Sequence, residues 1–221
     1  MRTTYPTFLM IKVVIFDVDG VLFNTDELYF QYLQQALVKR GVEITEEFFT
    51  YNGYDDCIYE LGLSEKLIQD VLQNMHTKYY HDDILQGVHI KDGVLSTLKG
   101  LSSSLQIATG SGEKQFQIER YLRHYAIDKY FSFIGHGALV EGKKSNPEYF
   151  YTIANHFGVL PQECLHIGDN LYDQNGLAAG VNVAIIPTKY STHIDFDQRC
   201  HMLNSISDIP ELITALSTLK T

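Results

Sequence analysis

Residues 12–21 read Lys-Val-Val-Ile-Phe-Asp-Val-Asp-Gly-Val, an apolar run over 12–16 that is followed by two aspartates and a glycine. The apolar residues do not alternate with polar ones, which is typical of a strand buried on both faces of a parallel sheet. Helix-like stretches separate this run from four similar ones, so the sequence predicts an α/β fold with a doubly wound parallel sheet. The later runs are residues 105–108, 131–134, 164–167 and 181–186.

The stretch from about residue 24 to residue 90 departs from this alternation, because it contains helical patterns and no convincing strand. It holds twelve acidic residues against four basic ones and therefore carries most of the chain's net charge of −10. We interpret it as a small helical cap domain inserted into the α/β core. The sequence predicts a core of residues 1–23 and 88–221, a cap of residues 24–87, and linkers at about 22–24 and 86–90.

Composition and charge narrow the class of protein. The 221 residues are 45% hydrophobic and 20% charged, which is an ordinary globular mixture. The acidic net charge argues against a nucleic-acid or membrane partner, and no apolar run approaches the roughly 18 residues of a membrane span. The three cysteines lack metal-ligand spacing, which fits a reducing compartment. We expect a cytoplasmic protein that is a monomer or a weak dimer.

Polar groups follow three of the five predicted strands, at the sheet edge where α/β proteins bind ligands. Two adjacent lysines also precede a predicted helix start at Pro147. Each group has an ordinary explanation when taken alone, because Asp-Gly is common in turns, a threonine can begin a helix, and surface lysines are usually solvated. The groups are Asp17 and Asp19, Thr109 with Gly110 and Ser111, Lys143 and Lys144, and Asp169 with Asp173.

Taken together, these groups provide what phosphoryl transfer requires. Aspartate oxygens are the hard ligands that Mg²⁺ prefers, and a hydroxyl followed by backbone amides at a helix start can hold phosphate oxygens. A carboxylate can attack phosphorus, and a lysine can offset the negative charge that gathers there. The sequence therefore predicts an enzyme that acts on phosphoryl groups.

In this order, the four groups resemble the motifs of the haloacid dehalogenase superfamily of phosphohydrolases, over almost the whole chain. The helical insert is similar to the type 1 cap of that family, as in phosphoglycolate phosphatases and β-phosphoglucomutases. The third motif departs from the family pattern Lys-Pro-x-Pro, because the chain reads Lys144-Ser145-Asn146-Pro147. Lys144 is the better match to the motif, and Lys143 stays open as an alternative.

The resemblance implies a role for each matched residue. Asp17 attacks phosphorus and becomes an aspartyl phosphate, while Asp19 protonates the leaving oxygen and then activates water. Thr109 and the Gly110 amide, together with Ser111, hold the phosphoryl group.

The resemblance also implies a Mg²⁺ cofactor near the motif lysine. Lys144 screens the negative charges, Asp169 binds the metal directly, and the backbone carbonyl of Asp19 completes the protein ligands. Asp173 either supports Asp169 or holds Lys144. The implied ligand set is Asp17, Asp19, Asp169 and Asp173.

The leading hypothesis is a Mg²⁺-dependent phosphatase that acts on a small phosphorylated metabolite. A phosphomutase is the nearest alternative, but Asn52 stands where β-phosphoglucomutases have a lysine, and the arginine that follows is absent. A signalling receiver domain or a non-catalytic phosphate-binding member would be a different class of protein, and no motif residue is missing here. We expect Tyr51 or Tyr54, which flank Asn52 and Gly53 on a loop, to contact the substrate, and Tyr54 is the residue we select; core packing is the alternative.

Overall fold

The computed structural model describes residues 10–52 and 56–218 and has a six-stranded sheet at its centre. The strands are β1 (Val13–Phe16), β2 (Gln106–Gly110), β3 (Phe133–Gly135), β4 (Cys164–Gly168), β5 (Asn182–Ile185) and β6 (His201–Met202). They lie in the order β3-β2-β1-β4-β5-β6, and every neighbouring pair is parallel. The expected doubly wound α/β architecture is therefore confirmed.

The described residues also form eight α-helices, and the first four lie between β1 and residue 90 of the chain. They occupy the stretch that the sequence assigns to a cap, whose boundaries stay a prediction. The helices are α1 (Thr25–Val38), α2 (Glu46–Asn52), α3 (Cys57–Glu60), α4 (Glu65–Tyr79), α5 (Val94–Leu101), α6 (Gln115–His124), α7 (Glu148–Phe157) and α8 (Ile209–Thr218). Short 3₁₀ helices include Lys143–Ser145 and Asp173–Ala179.

Three strands end later in the chain than the sequence predicts, and they are β2, β3 and β4. Thr109 and Gly110, expected after the strand at the start of the next helix, are the last residues of β2, and Gly168 ends β4. Thr109 pairs with Phe16, the last residue of β1, so the hydrogen-bonded ladder continues to the carboxyl ends of the two strands. The sequence pattern does not predict β6, because a strand of two residues is too short to show a period.

Side chains on both faces of the sheet are buried, which explains why the strand sequences do not alternate. In β1, Val14 and Phe16 pack in one cluster, whereas Val13 and Ile15 pack in another on the opposite face. None of the four is accessible to solvent. A third cluster holds the first four helices together and includes Leu33, Leu37, Phe49, Ile58, Val71 and Met75.

The two predicted linkers lie side by side. Phe23 forms backbone bridges with Asp19 and with Ile90. The Asn24 N–H donates to the His89 carbonyl at 3.1 Å, and the His89 N–H donates to Asn24 Oδ1 at 2.6 Å. The helical stretch therefore leaves the core and returns to it at one place, a few residues beyond β1.

Cys57, Cys164 and Cys200 are buried and free, and their spacing in the sequence is not that of metal ligands. Within residues 10–52 and 56–218, no helix combines the length and the apolar character that crossing a bilayer requires. The cellular location stays a prediction.

Candidate active site

A cavity of about 430 Å³ opens at the carboxyl ends of β1, β2 and β4, where the sequence predicts a ligand site. Side chains of α1 and α4 form part of its wall, so the helical stretch and the sheet enclose it together. Five of the predicted site residues line it: Asp17, Asp19, Ser111, Lys144 and Asp169.

The turn after β1 brings two aspartates together. The Asp17 N–H donates to the Ile167 carbonyl at 2.8 Å, so the residue still follows the line of the sheet. Gly20 then turns the chain with a φ of 72°, a conformation that favours glycine. A Cβ at Gly20 would lie 2.4 Å from Asp169 Oδ2. Glycine therefore permits both the turn and the close approach of Asp169.

Lys144 forms ion pairs with two carboxylates at the cavity. Its Nζ lies 2.5 Å from Asp17 Oδ2 and 2.7 Å from Asp173 Oδ1, and the side chain is buried. Burial opposes the charged form, but the two carboxylates outweigh it and raise the pKa of Lys144. Lys143 also lines the cavity, yet it is exposed and has no ion pair within the described residues. The geometry favours Lys144 as the motif lysine.

Asp173 is surrounded by four donors. Lys144 Nζ and His166 Nε2 each lie 2.7 Å from Oδ1, and the Asp169 and Asn170 amides each donate to Oδ2 at 3.0 Å. Burial alone would raise the pKa of Asp173, but Lys144 and His166 outweigh burial and lower it. Its oxygen lies within 4.8 Å of the other carboxylates of the cluster. Because its acceptor positions are filled, the geometry favours the alternative in which Asp173 holds Lys144.

The carboxylates of Asp17 and Asp169 face the same part of the cavity. Asp169 is buried and accepts a long hydrogen bond of 3.3 Å from Asn170 Nδ2, and no cationic side chain of the described residues pairs with it. Burial and then the neighbouring aspartates raise its pKa, and burial raises the pKa of Asp17 to about 7. Among the described residues, Asp17 has a lysine partner and Asp169 has none, so these two buried carboxylates fit a small, hard divalent cation such as Mg²⁺.

Asp19 is held by two hydroxyls. Thr25 Oγ1 donates to its Oδ1 at 2.5 Å, and Ser111 Oγ donates to its Oδ2 at 3.4 Å. Burial, and next the negative charge of Glu113, raise the pKa of Asp19 to about 7. A carboxyl group with a pKa near neutrality can both give and take a proton under ordinary conditions. The contact with Thr25 has no signal in the sequence, because it depends on the turn at Gly20.

Thr109 and Gly110 do not line the cavity. The Thr109 hydroxyl is buried and donates to the Gly135 carbonyl at 2.9 Å. Ser111 is the member of this group that faces the cavity, and its oxygen accepts the Glu113 N–H at 3.0 Å. The phosphate contacts expected of all three residues stay predictions. Tyr54 lies outside the described residues, so its predicted role stays untested.

A further part of the cavity wall joins the core to the helical stretch. Glu113 Oε1 accepts a hydrogen bond from the Tyr80 hydroxyl at 3.1 Å and another from the Lys114 N–H at 2.6 Å. The Lys114 ammonium lies 3.9 Å from the centroid of the Tyr80 ring. The sequence does not predict this group, because no spacing pattern connects residue 80 to residue 113. Burial raises the pKa of Glu113 above its usual value.

The chain is similar in sequence and in fold to known proteins. The family model described as haloacid dehalogenase-like hydrolase matches residues 14–186. The chain is 29% identical to a phosphoglycolate phosphatase of Thiobacillus denitrificans, over 86% of this chain and 91% of that protein. It is 24% identical to pyrophosphatase PpaX of Halalkalibacterium halodurans, over 92% and 97% respectively. The crystal structure of CbbY from Rhodobacter sphaeroides with phosphate has the same fold, with a TM-score of 0.73 at 19% identity over 90% of this chain and 96% of that one.

Proposed function

The chain belongs to the haloacid dehalogenase-like hydrolases, and we propose that it is a Mg²⁺-dependent phosphatase that releases phosphate from a small phosphorylated metabolite. The placement of Asp17 carries this proposal. Its carboxylate lines the cavity with the Lys144 ammonium 2.5 Å away and the Asp169 carboxylate in the same cluster. The residues that we propose as nucleophile, cation and metal ligand therefore lie close together, which supports phosphoryl transfer.

We assign the attack on phosphorus to Asp17. One carboxylate oxygen forms a bond to phosphorus while the bond from phosphorus to the leaving oxygen breaks, and Asp19 gives its proton to that oxygen. In the second half of the reaction, Asp19 takes a proton from water. The water oxygen then displaces the Asp17 oxygen from phosphorus and releases inorganic phosphate.

Asp17 and Asp169 would hold the Mg²⁺ ion, with the backbone carbonyl of Asp19 as a further ligand. When bound, Mg²⁺ offsets the negative charge of the carboxylates and of the phosphate. Lys144, held by Asp173, offsets charge from its own position beside Asp17. Because these groups are buried, their attraction for the developing charge is stronger than it would be in water.

The cavity volume supports a small leaving group. About 430 Å³ is within the range of pockets that bind small molecules. Side chains from α1 and α4, including Tyr29, His76 and Tyr79, form the wall in front of the aspartates. We assign contacts with the leaving group to this wall.

A screen of phosphorylated metabolites, with released phosphate as the readout, tests the proposal. We expect release from at least one monoester with Mg²⁺, and loss of release after exhaustive chelation that is restored when Mg²⁺ is added back. Full activity after chelation would contradict the role given to Asp169. Conversion of one sugar phosphate isomer into another, without release of phosphate, would identify a mutase instead.

A further inference from the structure

The buried side chains of four residues are connected by consecutive hydrogen bonds behind the cavity. The four are His166, Asp173, Lys144 and Asp17. His166 Nε2 lies 2.7 Å from Asp173 Oδ1, the same oxygen lies 2.7 Å from Lys144 Nζ, and Lys144 Nζ lies 2.5 Å from Asp17 Oδ2. Neither His166 nor Asp173 has any solvent exposure. The catalytic assignment above accounts for three of these residues and leaves His166 without a role.

We propose that His166 is a positioning residue: its Nε2–H holds Asp173 on Lys144, and Lys144 in turn is held against Asp17. This inference rests on the proposed function, in which Asp17 is the nucleophile and Lys144 is its cationic partner.

The ring of His166 is fixed from several sides. It projects from the middle of β4, and its Nδ1 lies 3.1 Å from the Ile15 carbonyl, so Nδ1 faces an oxygen that accepts, as Nε2 does, and the ring donates a hydrogen bond from both nitrogens. Phe150 packs against the ring at a centroid distance of 5.0 Å and an angle of 64°. A Cβ at Gly110 would lie 3.3 Å from the His166 Cε1, so β2 also approaches the ring closely. This packing leaves Nε2 aimed at Asp173.

The hydrogen bonds of Asp173 show what the histidine contributes. Oδ2 accepts two backbone amides, whereas Oδ1 is shared by the two side chains Lys144 and His166. Without a donor at the His166 position, Lys144 would be the remaining partner of Oδ1. The ammonium would then be drawn toward Asp173 and away from Asp17, and the alignment of the nucleophile would suffer.

Two substitutions of similar size separate this role from simple packing. In His166→Gln, the side-chain amide nitrogen stands about where Nε2 stands, so a donor to Asp173 is kept. In His166→Asn, the amide nitrogen stands about where Nδ1 stands, so the contact with Ile15 is kept and the donor to Asp173 is lost. Cys164→Ala, a buried change on the same strand, controls for a general loss of stability.

We expect His166→Asn to lower kcat at least about tenfold while KM changes less than about threefold. His166→Gln should keep most of the wild-type kcat. Cys164→Ala should lower the melting temperature without changing kcat per folded molecule. Ring ¹⁵N spectra of the wild-type protein should show a proton on Nε2 of His166, which is a readout independent of turnover.

Three outcomes would overturn the inference. The first is a kcat for His166→Asn equal to that of His166→Gln, and the second is an Nε2 without a proton. The third is a large rise, in His166→Asn, in the Mg²⁺ concentration needed for half-maximal activity while kcat is unchanged. That result would place Asp173 on the metal. A wild-type protein that releases no phosphate from any monoester would instead refute the proposed function, so the two failures are distinguishable.

Discussion

The Thr25 hydroxyl donates to Asp19 Oδ1 at 2.5 Å, and this contact ties the first residue of α1 to the carboxyl group that we assign to proton transfer. Five residues separate the two, and the turn at Gly20 brings them together. The donated hydrogen bond stabilises the ionised form of Asp19 and so opposes the burial that raises its pKa. The start of the helical stretch therefore helps to set both the orientation and the proton affinity of Asp19.

Thr25→Val tests this contact, because valine keeps the shape of threonine and lacks the donor. We expect kcat to fall about tenfold, since Asp19 is less well oriented and holds its proton more tightly. Thr25→Ser keeps the hydroxyl and should stay within about threefold of the wild-type kcat. Steady-state kinetics on the best substrate from the screen provides the measurement. A loss in Thr25→Ser without a loss in Thr25→Val would show that the methyl group, and not the hydrogen bond, matters.

Asp17→Asn tests the nucleophile. The change removes the attacking charge, and we expect kcat to fall by about 10³-fold or more. The fold should survive, because Lys144 keeps its ion pair with Asp173 at 2.7 Å and because an ionised carboxylate is no longer buried at position 17. Thermal melting should stay within about five degrees of the wild-type protein. Retention of more than a few per cent of the activity would exclude the covalent mechanism.

Lys144→Met and Lys143→Met form a matched pair that decides between the adjacent lysines. Lys144 is buried between Asp17 and Asp173, so its removal leaves two buried carboxylates without their cation. We expect kcat to fall about 100-fold or more and the melting temperature to fall as well, because broken buried ion pairs destabilise by about 3–5 kcal/mol. Lys143→Met should change kcat by less than about fivefold. The reverse order of effects would assign the motif to Lys143.

The fold could be predicted from the sequence where local patterns and strand pairing agree. The apolar run of β1 and the aspartates after it predict a candidate site at the carboxyl end of the strand, and the cavity opens there. The sequence predicts Thr109 and Gly110 after the end of the strand, because a threonine can begin a helix. Pairing with β1 and β3 extends the strand through them, and that pairing is a tertiary effect which no local pattern records.

The geometry of the candidate site is predictable from the sequence only in part, for a related reason. Asp17, Asp169 and Lys144 follow strands or precede a helix, so their positions in the chain indicate a common edge. His166 lies inside an apolar run, where a single polar residue has no spacing partner. Its contact with Asp173 becomes visible only when β4 and the segment after it are placed in three dimensions.

Mg²⁺ should stabilise the protein more at high pH than at low pH. The folded pKa values of Asp17 and Asp19 are raised from 3.8 to about 7, chiefly by burial. Their contribution to stability is therefore complete below the unfolded pKa and is lost as the pH rises through about 7. A divalent cation binds the ionised form and compensates for that loss, so the gain grows with pH.

Thermal melts with chelator and with Mg²⁺, at about pH 5 and about pH 8, measure this difference. We expect a rise of several degrees at the higher pH and little change at the lower one. Asp169→Asn should remove the Mg²⁺-dependent rise at both. An equal rise at the two pH values, or a rise that persists in Asp169→Asn, would contradict the assigned metal site.

Glu113 should bias the enzyme against substrates whose leaving group carries a second negative charge. Its carboxyl group lines the cavity and lies close enough to raise the pKa of Asp19 by its charge. An anionic leaving group would face this carboxylate in a partly buried site, where repulsion between like charges is strong. Glu113→Gln removes the charge and keeps an oxygen that can accept the Tyr80 hydroxyl. We expect the ratio of kcat/KM for a carboxylate-bearing monoester to that for a neutral polyol monoester to rise at least about fivefold.

Tyr80→Phe is the control for this prediction, because it breaks the hydrogen bond to Glu113 at 3.1 Å and leaves the charge in place. If repulsion sets the preference, Tyr80→Phe should leave the substrate ratio nearly unchanged. If both variants shift the ratio equally, the position of the side chain matters and its charge does not. An unchanged ratio in Glu113→Gln would mean that Lys114 and Lys143, which line the same cavity, already offset the carboxylate. The charge-based prediction would then be wrong.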